Sequence, residues 1–328
     1  MKQFHNKKIL ITGGTGSWGH ELVEQLLEMD DGPKLIIIYS RGEHKQVDMR
    51  AEIKDPRVKF VIGDIRSKNT LNFAMKGIDI VFHLAALKHV PVCEDNPWEA
   101  VLTNIYGSQN VIEAAIENKV AVVVDVSTDK AVDPFNHYGV TKACGEKLMI
   151  NANKLGSSTK FICVRGGNVI GTNGSVIPLF KKQILEDNKV TVTDPKMTRY
   201  LMSTKQAISL IFKAFQKHKG GEVFVLNMPG TTVDIIARTM IKMFGNKETT
   251  IEIIGSRQGE KKDELLISKN EIPFTEETDE FYFTIYPPFL DHKAKPNMSI
   301  KEFTSRNTKQ LTVKELESIL KKEEWLID

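Results

Sequence analysis

Short apolar runs alternate with segments of helical spacing through the first two-thirds of this 328-residue chain. A continuous apolar run between turn residues is typical of a strand buried on both faces, and helices between such strands indicate βαβ units. We therefore predict an α/β fold built on a doubly wound parallel sheet, with ligands at the carboxyl ends of its strands. The predicted strands are residues 9–11, 35–39, 58–62, 80–84, 120–126, 161–164 and 223–226.

The strand–helix alternation weakens after about residue 168, where prolines, glycines and charged segments become frequent. We predict a Rossmann domain made of residues 1–167 and about 196–228. A smaller α/β region for substrate binding is expected at about 168–195 and 229–328, with one return of the chain to the main sheet near 200–228. In the tail, Thr312 and Glu315 have the spacing of a capping box at the start of a helix.

Composition excludes several classes of protein. The chain is 41% hydrophobic and 27% charged with a net charge of +3, which is typical of a globular protein and lacks the basic stripe of a nucleic-acid binder. Its three cysteines, Cys93, Cys144 and Cys163, form no CxxC motif, so we expect no metal site, no disulfide framework and a reducing compartment. Without a signal-like start or a long apolar segment, we expect a soluble cytoplasmic protein with no membrane partner.

A glycine-rich segment follows the first predicted strand directly. In a dinucleotide site, Gly13 would permit the tight turn, Gly16 would let the backbone approach the pyrophosphate, and Gly19 would let helix and strand pack closely. Free N–H groups at the helix start favour phosphate. The alternative is an ordinary strand-to-helix turn that happens to use glycines. The predicted cofactor contacts here are Gly13, Thr15, Gly16, Ser17, Trp18 and Gly19.

The end of the second strand indicates which dinucleotide binds. Ser40, Arg41 and Lys45 offer a hydroxyl and cations where an NAD-specific protein usually has an acidic residue. This favours NADP, unless the two cations merely solvate a helix start. After the third strand, Asp64 is expected to accept from the adenine amino group and Ile65 to pack on the ring. The fourth strand end adds Leu84, Ala85, Ala86 and Lys88 to the predicted cofactor contacts.

Titratable and hydroxyl side chains cluster after the fifth strand. Tyr138 and Lys142 are four residues apart and share a helix face. A nearby lysine lowers the pKa of a tyrosine, which makes the phenolate a usable base, and the same lysine can hold the nicotinamide ribose. The alternatives are a solvated helix face and, for the adjacent Asp129 and Lys130, an exposed ion pair of little energetic value.

These motifs resemble the extended short-chain dehydrogenase/reductase family. Within it, the chain is similar to inverting UDP-N-acetylglucosamine 4,6-dehydratases (5-epimerases) of bacterial surface-sugar pathways. The resemblance extends from about residue 8 to residue 267, and its matching stretches are residues 12–17, 85–91, 127–132, 174–178, 194–199 and 255–262.

The resemblance implies a role for each catalytic candidate. Tyr138 would take the O4 proton while NADP+ takes the C4 hydride, Lys130 would remove the C5 proton, and Asp129 would help to expel water from C6. The hydride then returns to C6 and C5 is reprotonated from the other face, so the cofactor is regenerated. A dehydratase needs this additional base and acid, whereas an epimerase does not. The implied catalytic residues are Thr128, Asp129, Lys130, Tyr138 and Lys142.

UDP-N-acetylglucosamine, the substrate that the resemblance implies, brings two phosphates and a uracil, which call for cations and amide groups. The guanidinium group of arginine can donate two parallel hydrogen bonds to phosphate oxygens. For each candidate substrate contact, the alternative is a surface salt bridge. The predicted substrate contacts are Lys88, Asn168, Ser175, Val176, Arg199, Arg257 and Glu260. The apolar spacing of residues 98–116 permits helix packing between copies, and we expect a homo-oligomer, a dimer or larger.

Two positions depart from the pattern of the family. Residue 166 is glycine, where relatives more often have an aromatic residue. The tail, including residues 307–308 and 311–315, is similar to a branch that makes L-configured N-acetylated 6-deoxy sugars, and some members of that branch have methionine where this chain has Tyr138. The stereochemistry at C5 therefore stays open. The alternatives are a retaining dehydratase, a UDP-hexose 4-epimerase and, from another class, a non-catalytic NADP-binding regulator. Asp129 and Lys130 argue against the epimerase, and the Tyr138–Lys142 pair argues against the regulator.

Overall fold

The computed structural model describes residues 2–171, 175–256, 259–279, 281–290 and 302–323. Its strands in chain order are β1 (Lys8–Thr12), β2 (Leu35–Ser40), β3 (Val58–Ile62), β4 (Ile80–His83), β5 (Val122–Thr128), β6 (Lys160–Gly166), β7 (Asn168–Val169), β8 (Lys189–Val192), β9 (Thr198–Met202), β10 (Val223–Leu226), β11 (Gly230–Thr232), β12 (Thr250–Ile253), β13 (Leu265–Ile267), β14 (Thr275–Asp279), β15 (Tyr282–Ile285) and β16 (Phe303–Thr304).

The α-helices are α1 (Ser17–Leu27), α2 (Glu43–Glu52), α3 (Lys68–Ala74), α4 (Val90–Asp95), α5 (Pro97–Val101), α6 (Gly107–Glu117), α7 (His137–Ala152), α8 (Val176–Asp187), α9 (Thr204–Lys217), α10 (Val233–Phe244) and α11 (Val313–Lys322). A π-helical turn, Leu102–Tyr106, joins α5 to α6, and short 3₁₀ turns span Lys2–Phe4, Asp129–Ala131 and Ile272–Phe274. Within the described ranges, no helix has both the length and the apolar character needed to cross a membrane.

In the described part of the chain, nine strands form one sheet in the order β14-β15-β10-β6-β5-β4-β1-β2-β3. The run from β10 to β3 is parallel, and β15 and β14 add to its edge in antiparallel orientation. The chain adds strands in one direction from β1 to β3 and in the opposite direction from β4 onward. This reversal leaves a crevice between the carboxyl ends of β1 and β4. The predicted doubly wound α/β fold is confirmed.

The central strands are buried on both faces because helices cover each side of the sheet. Four of the five residues of β1 and all four of β4 and of β10 are buried. This double burial explains why the strands appear in the sequence as continuous apolar runs rather than as alternating patterns.

A second, smaller hydrophobic cluster lies outside this sheet. It joins α8, α10 and α11 to the short strands β8 and β9 through buried side chains that include Ile177, Phe180, Ile236, Met240 and Leu316. The predicted division into a cofactor domain and a substrate region stays a prediction, but this cluster gives the later part of the chain an apolar core.

The chain returns to the main sheet twice, whereas the sequence predicted one return. β10 is the expected strand, and the hairpin of β14 and β15 is the additional one. β14 reads Thr-Glu-Glu-Thr-Asp and has no apolar run. An edge strand is only half covered, so its side chains are largely polar and the pattern of a buried strand is missing.

Side-chain caps fix the start of two helices. In α11 the capping box predicted for Thr312 and Glu315 is confirmed, with Thr312 Oγ1 accepting from the Glu315 N–H at 3.3 Å. A second box starts α9, where the Ser203 hydroxyl accepts from the Gln206 N–H at 3.1 Å and the Gln206 side chain accepts from the Ser203 N–H at 2.9 Å. Each cap satisfies N–H groups that the helix leaves free.

Replacing Ser203 with alanine should lower the free energy of unfolding by about 1 kcal/mol, because the Gln206 N–H loses its acceptor. Urea denaturation measures the change. Lys205→Ala, an exposed substitution in the same helical turn, is the matched control and should change stability by less than about 0.5 kcal/mol. Equal losses in the two variants would contradict a capping role for Ser203.

Candidate active site

A cleft of about 880 Å³ opens at the carboxyl ends of the parallel strands, where the winding reverses. Its walls come from the turns after β1, β2, β4 and β5, from α7, and from the start of α8. Sixteen of the predicted cofactor residues line it: Gly13, Thr15, Gly16, Ser17, Trp18, Gly19, Ser40, Arg41, Lys45, Ile65, Leu84, Ala85, Ala86, Lys88, Tyr138 and Lys142.

The glycine-rich turn after β1 leaves a backbone surface facing the cleft. Gly13 has φ +68°, which glycine adopts most readily, and its N–H donates to Tyr39 O at 2.8 Å. A Cβ at Gly19 would lie 2.1 Å from Gly14 O, so only glycine fits there, whereas a Cβ at Gly16 would meet only Gly13 O at 3.4 Å. Because no side chain caps α1, its first N–H groups are available to a phosphate.

Ser40 is held at the end of β2 by a buried glutamine. Gln46 Nε2 donates to Ser40 Oγ at 2.9 Å and to Ser40 O at 3.0 Å. The Ser40 hydroxyl therefore has its own proton left to donate toward the cleft. Burial, and then the nearby Lys45 ammonium, lower the pKa of Lys88. Two cations close together at this wall favour an anionic ligand.

Asp64, the remaining predicted cofactor residue, is not part of the cleft lining. Its carboxylate accepts from the Arg66 backbone N–H at 2.9 Å and from Arg66 Nε at 2.8 Å. An adenine amino group would have to share this carboxylate with Arg66, so the adenine contact stays a prediction for Asp64. Ile65, next in the chain, does face the cleft.

A buried ion pair lies where β5 ends. Asp129 has no exposed surface, and its Oδ1 accepts from Thr128 Oγ1 at 2.9 Å and from Lys130 Nζ at 3.0 Å. Lys130 Nζ also donates to Asn168 Oδ1 at 3.1 Å and lies 3.5 Å from Glu264 Oε1. The pair therefore joins a buried carboxylate to a partly buried ammonium that lines the cleft, unlike the exposed ion pair that the sequence left open.

Lys130 is protonated in this arrangement. Burial alone would lower its pKa, but the charges of Asp129 and then Glu264 outweigh burial and raise the pKa above the ordinary lysine value. The second oxygen of Asp129, Oδ2, is buried and has no hydrogen-bond partner among the described residues. The pair therefore keeps one acceptor atom free.

Tyr138 and Lys142 both face the cleft from the first turns of α7. The helix start is fixed by Asn136, whose Oδ1 accepts from the Gly139 N–H at 2.8 Å and whose Nδ2 donates to Gly259 O at 2.9 Å. The lowered pKa predicted for Tyr138 is wrong as a net effect in the protein alone. Burial raises the pKa of Tyr138 by more than Lys142 and Lys130 lower it.

The predicted substrate contacts are only partly brought together. Lys88, Asn168, Ser175 and Val176 line the cleft, whereas Arg199 and Glu260 are not part of its lining. Arg199 Nε lies 3.7 Å from Glu264 Oε1, and Arg199 Nη1 donates to Thr198 O. Arg257 lies outside the described residues.

Sequence reasoning missed three buried titratable residues near the site: His83, Asp125 and Glu264. His83 and Asp125 interrupt otherwise apolar strands, and a polar residue within such a run is a signal that could have identified them. Glu264 reaches Lys130 from a distant part of the chain. No local pattern marks that contact.

Trp18 fills space beside Gly166. A Cβ on Gly166 would lie 3.0 Å from Trp18 Cη2 and 3.2 Å from Trp18 Cζ2. Both residues line the cleft. The indole therefore occupies the volume into which a side chain at position 166 would project.

Comparison with known proteins places the chain in a family. A family model described as polysaccharide biosynthesis protein matches residues 9–286. A protein of Rickettsia bellii (strain RML369-C) named UDP-glucose 4-epimerase is 42% identical, over 97% of this chain and 96% of the relative.

Solved structures agree with this placement. The X-ray structure of Pen from Bacillus thuringiensis is 41% identical, with a TM-score of 0.90 over 97% of this chain and 99% of that one. DesIV, a dTDP-glucose 4,6-dehydratase from Streptomyces venezuelae with NAD and TYD bound, is 23% identical, with a TM-score of 0.69 over 77% of this chain and 86% of that one. At that identity, DesIV supports the fold alone.

Two glycine substitutions should separate binding from folding. Gly16→Ala should leave the thermal unfolding midpoint unchanged but weaken nicotinamide dinucleotide binding by about tenfold or more, because the added methyl group would stand between the backbone and the predicted pyrophosphate. Gly19→Ala should lower the free energy of unfolding by more than about 2 kcal/mol, because its Cβ collides with backbone. Calorimetry and ligand titration measure both effects, and undiminished dinucleotide binding in Gly16→Ala would contradict the predicted cofactor position.

Proposed function

Because the chain belongs to the polysaccharide biosynthesis family of nucleotide-sugar dehydratases and epimerases, within the extended short-chain dehydrogenases, we propose that it is an NADP-dependent UDP-N-acetylglucosamine 4,6-dehydratase. The product would be a UDP-2-acetamido-2,6-dideoxy-4-keto-hexose, formed with loss of one water and inversion at C5. The observation that carries this proposal is the Asp129–Lys130 ion pair beside the cleft, in which Lys130 lines the cleft and Asp129 is buried and not part of the lining.

The lining of the cleft supports a bound nicotinamide dinucleotide, for which we propose NADP. The backbone at Gly16 is open to a pyrophosphate, and the hydroxyl and cations of Ser40, Arg41 and Lys45 in the cleft wall would suit a 2′-phosphate. Lys142 would hold the nicotinamide ribose. When bound, NADP+ supplies a hydride acceptor for C4 and a hydride donor for C6, and its positive charge favours the phenolate of Tyr138.

The Asp129–Lys130 pair, with its carboxylate buried and its ammonium partly buried, favours a dehydratase among the candidate reactions. Removing two charges from water is costly, and such a pair adds little to stability. A 4-epimerase moves only the O4 proton and the C4 hydride, for which Tyr138 suffices. A dehydratase also removes the C5 proton and protonates the leaving C6 hydroxyl, which requires a second base and an acid. In a dehydratase, Lys130 and Asp129 would supply this second base and acid, whereas an epimerase would need neither.

The ion pair can reach the protonation states that these roles need. Lys130 is protonated and cannot act directly as a base. Transfer of one proton from Nζ to Asp129 Oδ1, across their 3.0 Å contact, gives a neutral amine and a carboxylic acid. The amine is then the base for C5 and the acid the donor to the C6 hydroxyl.

The start of α8 offers a site for the diphosphate of the substrate. Ser175 is the N-cap residue, yet its side chain caps no N–H group, and its buried Oγ has no partner among the described residues. The N–H groups at this helix start therefore face the cleft wall, which suits an anionic group. Lys88 and Asn168 line the same cleft and complete the set that we propose for UDP-sugar binding.

The alternative most favoured by the comparisons is a UDP-hexose 4-epimerase, because the Rickettsia relative has that name. A dehydratase that retains the C5 configuration is the other enzymatic alternative. Outside enzymes, a non-catalytic NADP-binding regulator would have no need of Tyr138 and Lys142 in the cleft.

We further propose a cytoplasmic homo-oligomer, a dimer or larger. Trp98 and Tyr106 are more than half exposed, and their rings meet edge to face with centroids 6.4 Å apart. Exposed aromatic pairs are typical of protein interfaces, and both residues lie in the segment whose apolar spacing predicts helix packing between copies.

Incubation with UDP-N-acetylglucosamine in deuterated water tests the reaction directly, with products followed by NMR and mass spectrometry. Loss of one water with deuterium at an inverted C5 is the expected result. Water loss with retained configuration would keep the dehydratase and overturn the inversion. Scrambling at C4 without water loss would identify an epimerase and contradict the roles of Asp129 and Lys130.

Substitution of Lys130 should separate oxidation from elimination. Lys130→Met should reduce dehydration by about 10²–10⁴-fold while reduced nicotinamide still forms, because Tyr138 is intact. Lys130→Arg is the matched control, since arginine keeps the positive charge but cannot be deprotonated, and it should be equally slow. Absorbance of the reduced nicotinamide measures oxidation. Dehydration at the wild-type rate in Lys130→Arg would rule out Lys130 as the base.

A further inference from the structure

A row of polar side chains crosses the main sheet beneath α7. In the strand register, Thr12 pairs with His83, His83 with Asp125, and Asp125 with Cys163. Side chains at paired positions of neighbouring strands point to the same face of a sheet. Lys142 of α7 meets this row from above, with its Nζ 3.5 Å from Asp125 Oδ2.

None of the four residues of this row has a role in the proposed reaction, and Asp125 is its acidic member. It is fully buried, and neither carboxylate oxygen has a hydrogen-bond partner among the described residues. His83 Nε2 lies 3.9 Å away, but burial lowers the pKa of His83 to about 4, so its ring is neutral. In the described part of the chain, this leaves Lys142 as the cation within ion-pair distance of Asp125.

We propose that Asp125 is a positioning residue that holds the ammonium group of Lys142 in place beneath the cofactor cleft. A buried carboxylate without hydrogen bonds is strongly unfavourable unless it is matched by an opposite charge. Lys142 is also almost completely buried, so its ammonium group needs the Asp125 carboxylate just as the carboxylate needs the ammonium group. Asp125 thereby fixes the end of a long, otherwise flexible side chain that must reach the nicotinamide ribose and Tyr138.

Among the groups around Lys142, Asp125 has the largest effect in raising the pKa of the Lys142 ammonium. The groups that face Lys142 are Asp125 from β5, Cys163 from β6, and Tyr138 and Glu146 from α7. Burial raises the pKa of Cys163 well above its ordinary value, so the thiol is neutral. Glu146 is matched by Arg165, whose Nη2 lies 2.6 Å from Glu146 Oε1. Asp125 is the facing anion that has no second cation.

Removal of the Asp125 charge should lower the pKa of Lys142. A nearby negative charge favours the protonated form, so Asp125→Asn makes Lys142 easier to deprotonate. Tyr138 is faced by Lys142, Lys130, Thr128 and Asp129, and this substitution leaves those four residues in place. The charge of Lys142 is therefore lost at lower pH.

The first test is the pH dependence of kcat/KM, which rests on the proposed dehydratase function. In Asp125→Asn the alkaline limb, where Lys142 loses its charge, should shift toward acid by about one pH unit. The control is Ser108→Ala, which alters the hydroxyl 3.4 Å from His83 Nε2 without removing a charge, and its profile should match the wild type. An Asp125→Asn profile that is lower but not shifted would overturn the proposal.

A stability cycle tests the pairing without substrate or cofactor. Asp125→Asn and Lys142→Met each leave one buried charge unmatched, so each should lower the urea midpoint, and the double variant should be more stable than either single variant. Simple addition of the two losses would overturn the proposal. This cycle measures stability and needs no enzymatic activity. If the wild type fails to dehydrate UDP-N-acetylglucosamine, that result counts against the proposed function alone, and the cycle still tests the pairing of Asp125 with Lys142.

Discussion

The reversal of winding between β1 and β4 determines where this protein can bind a ligand. Right-handed crossovers place the helices after β1 and after β4 on opposite faces of the sheet, so neither helix covers the gap between the two strand ends. The glycine turn after β1 borders this gap with backbone N–H groups. The ends of β5 and α7 border it with side chains, and the second hydrophobic cluster places α8 across from them.

Buried charges of alternating sign form the chemical part of this cleft. Lys130 lies between Asp129 and Glu264, and Arg199 stands behind Glu264. Each charge is tolerated in the interior because an opposite one faces it. Such an arrangement holds side chains in fixed positions and lets a proton move over short distances between them.

The sequence predicts those features that depend on neighbouring residues. The parallel strands, the glycine turn and the capping box at Thr312 follow from local spacing, and all three are present. The edge strand β14 was missed because it carries no apolar run, and the neighbouring β15 was missed although it is largely apolar. Glu264 was missed because it is far from Lys130 in the sequence and only the fold brings the two side chains together. The raised pKa of Tyr138 was missed because it results from burial of the phenol, which residue spacing does not reveal.

The closeness of Trp18 to Gly166 couples these two positions. A methyl group at position 166 would lie 3.0 Å from Trp18 Cη2, so the indole would have to shift by a few tenths of an ångström to admit it. A larger side chain at 166 would need more of the volume that the indole fills. The effect of a substitution at either position therefore depends on which residue stands at the other.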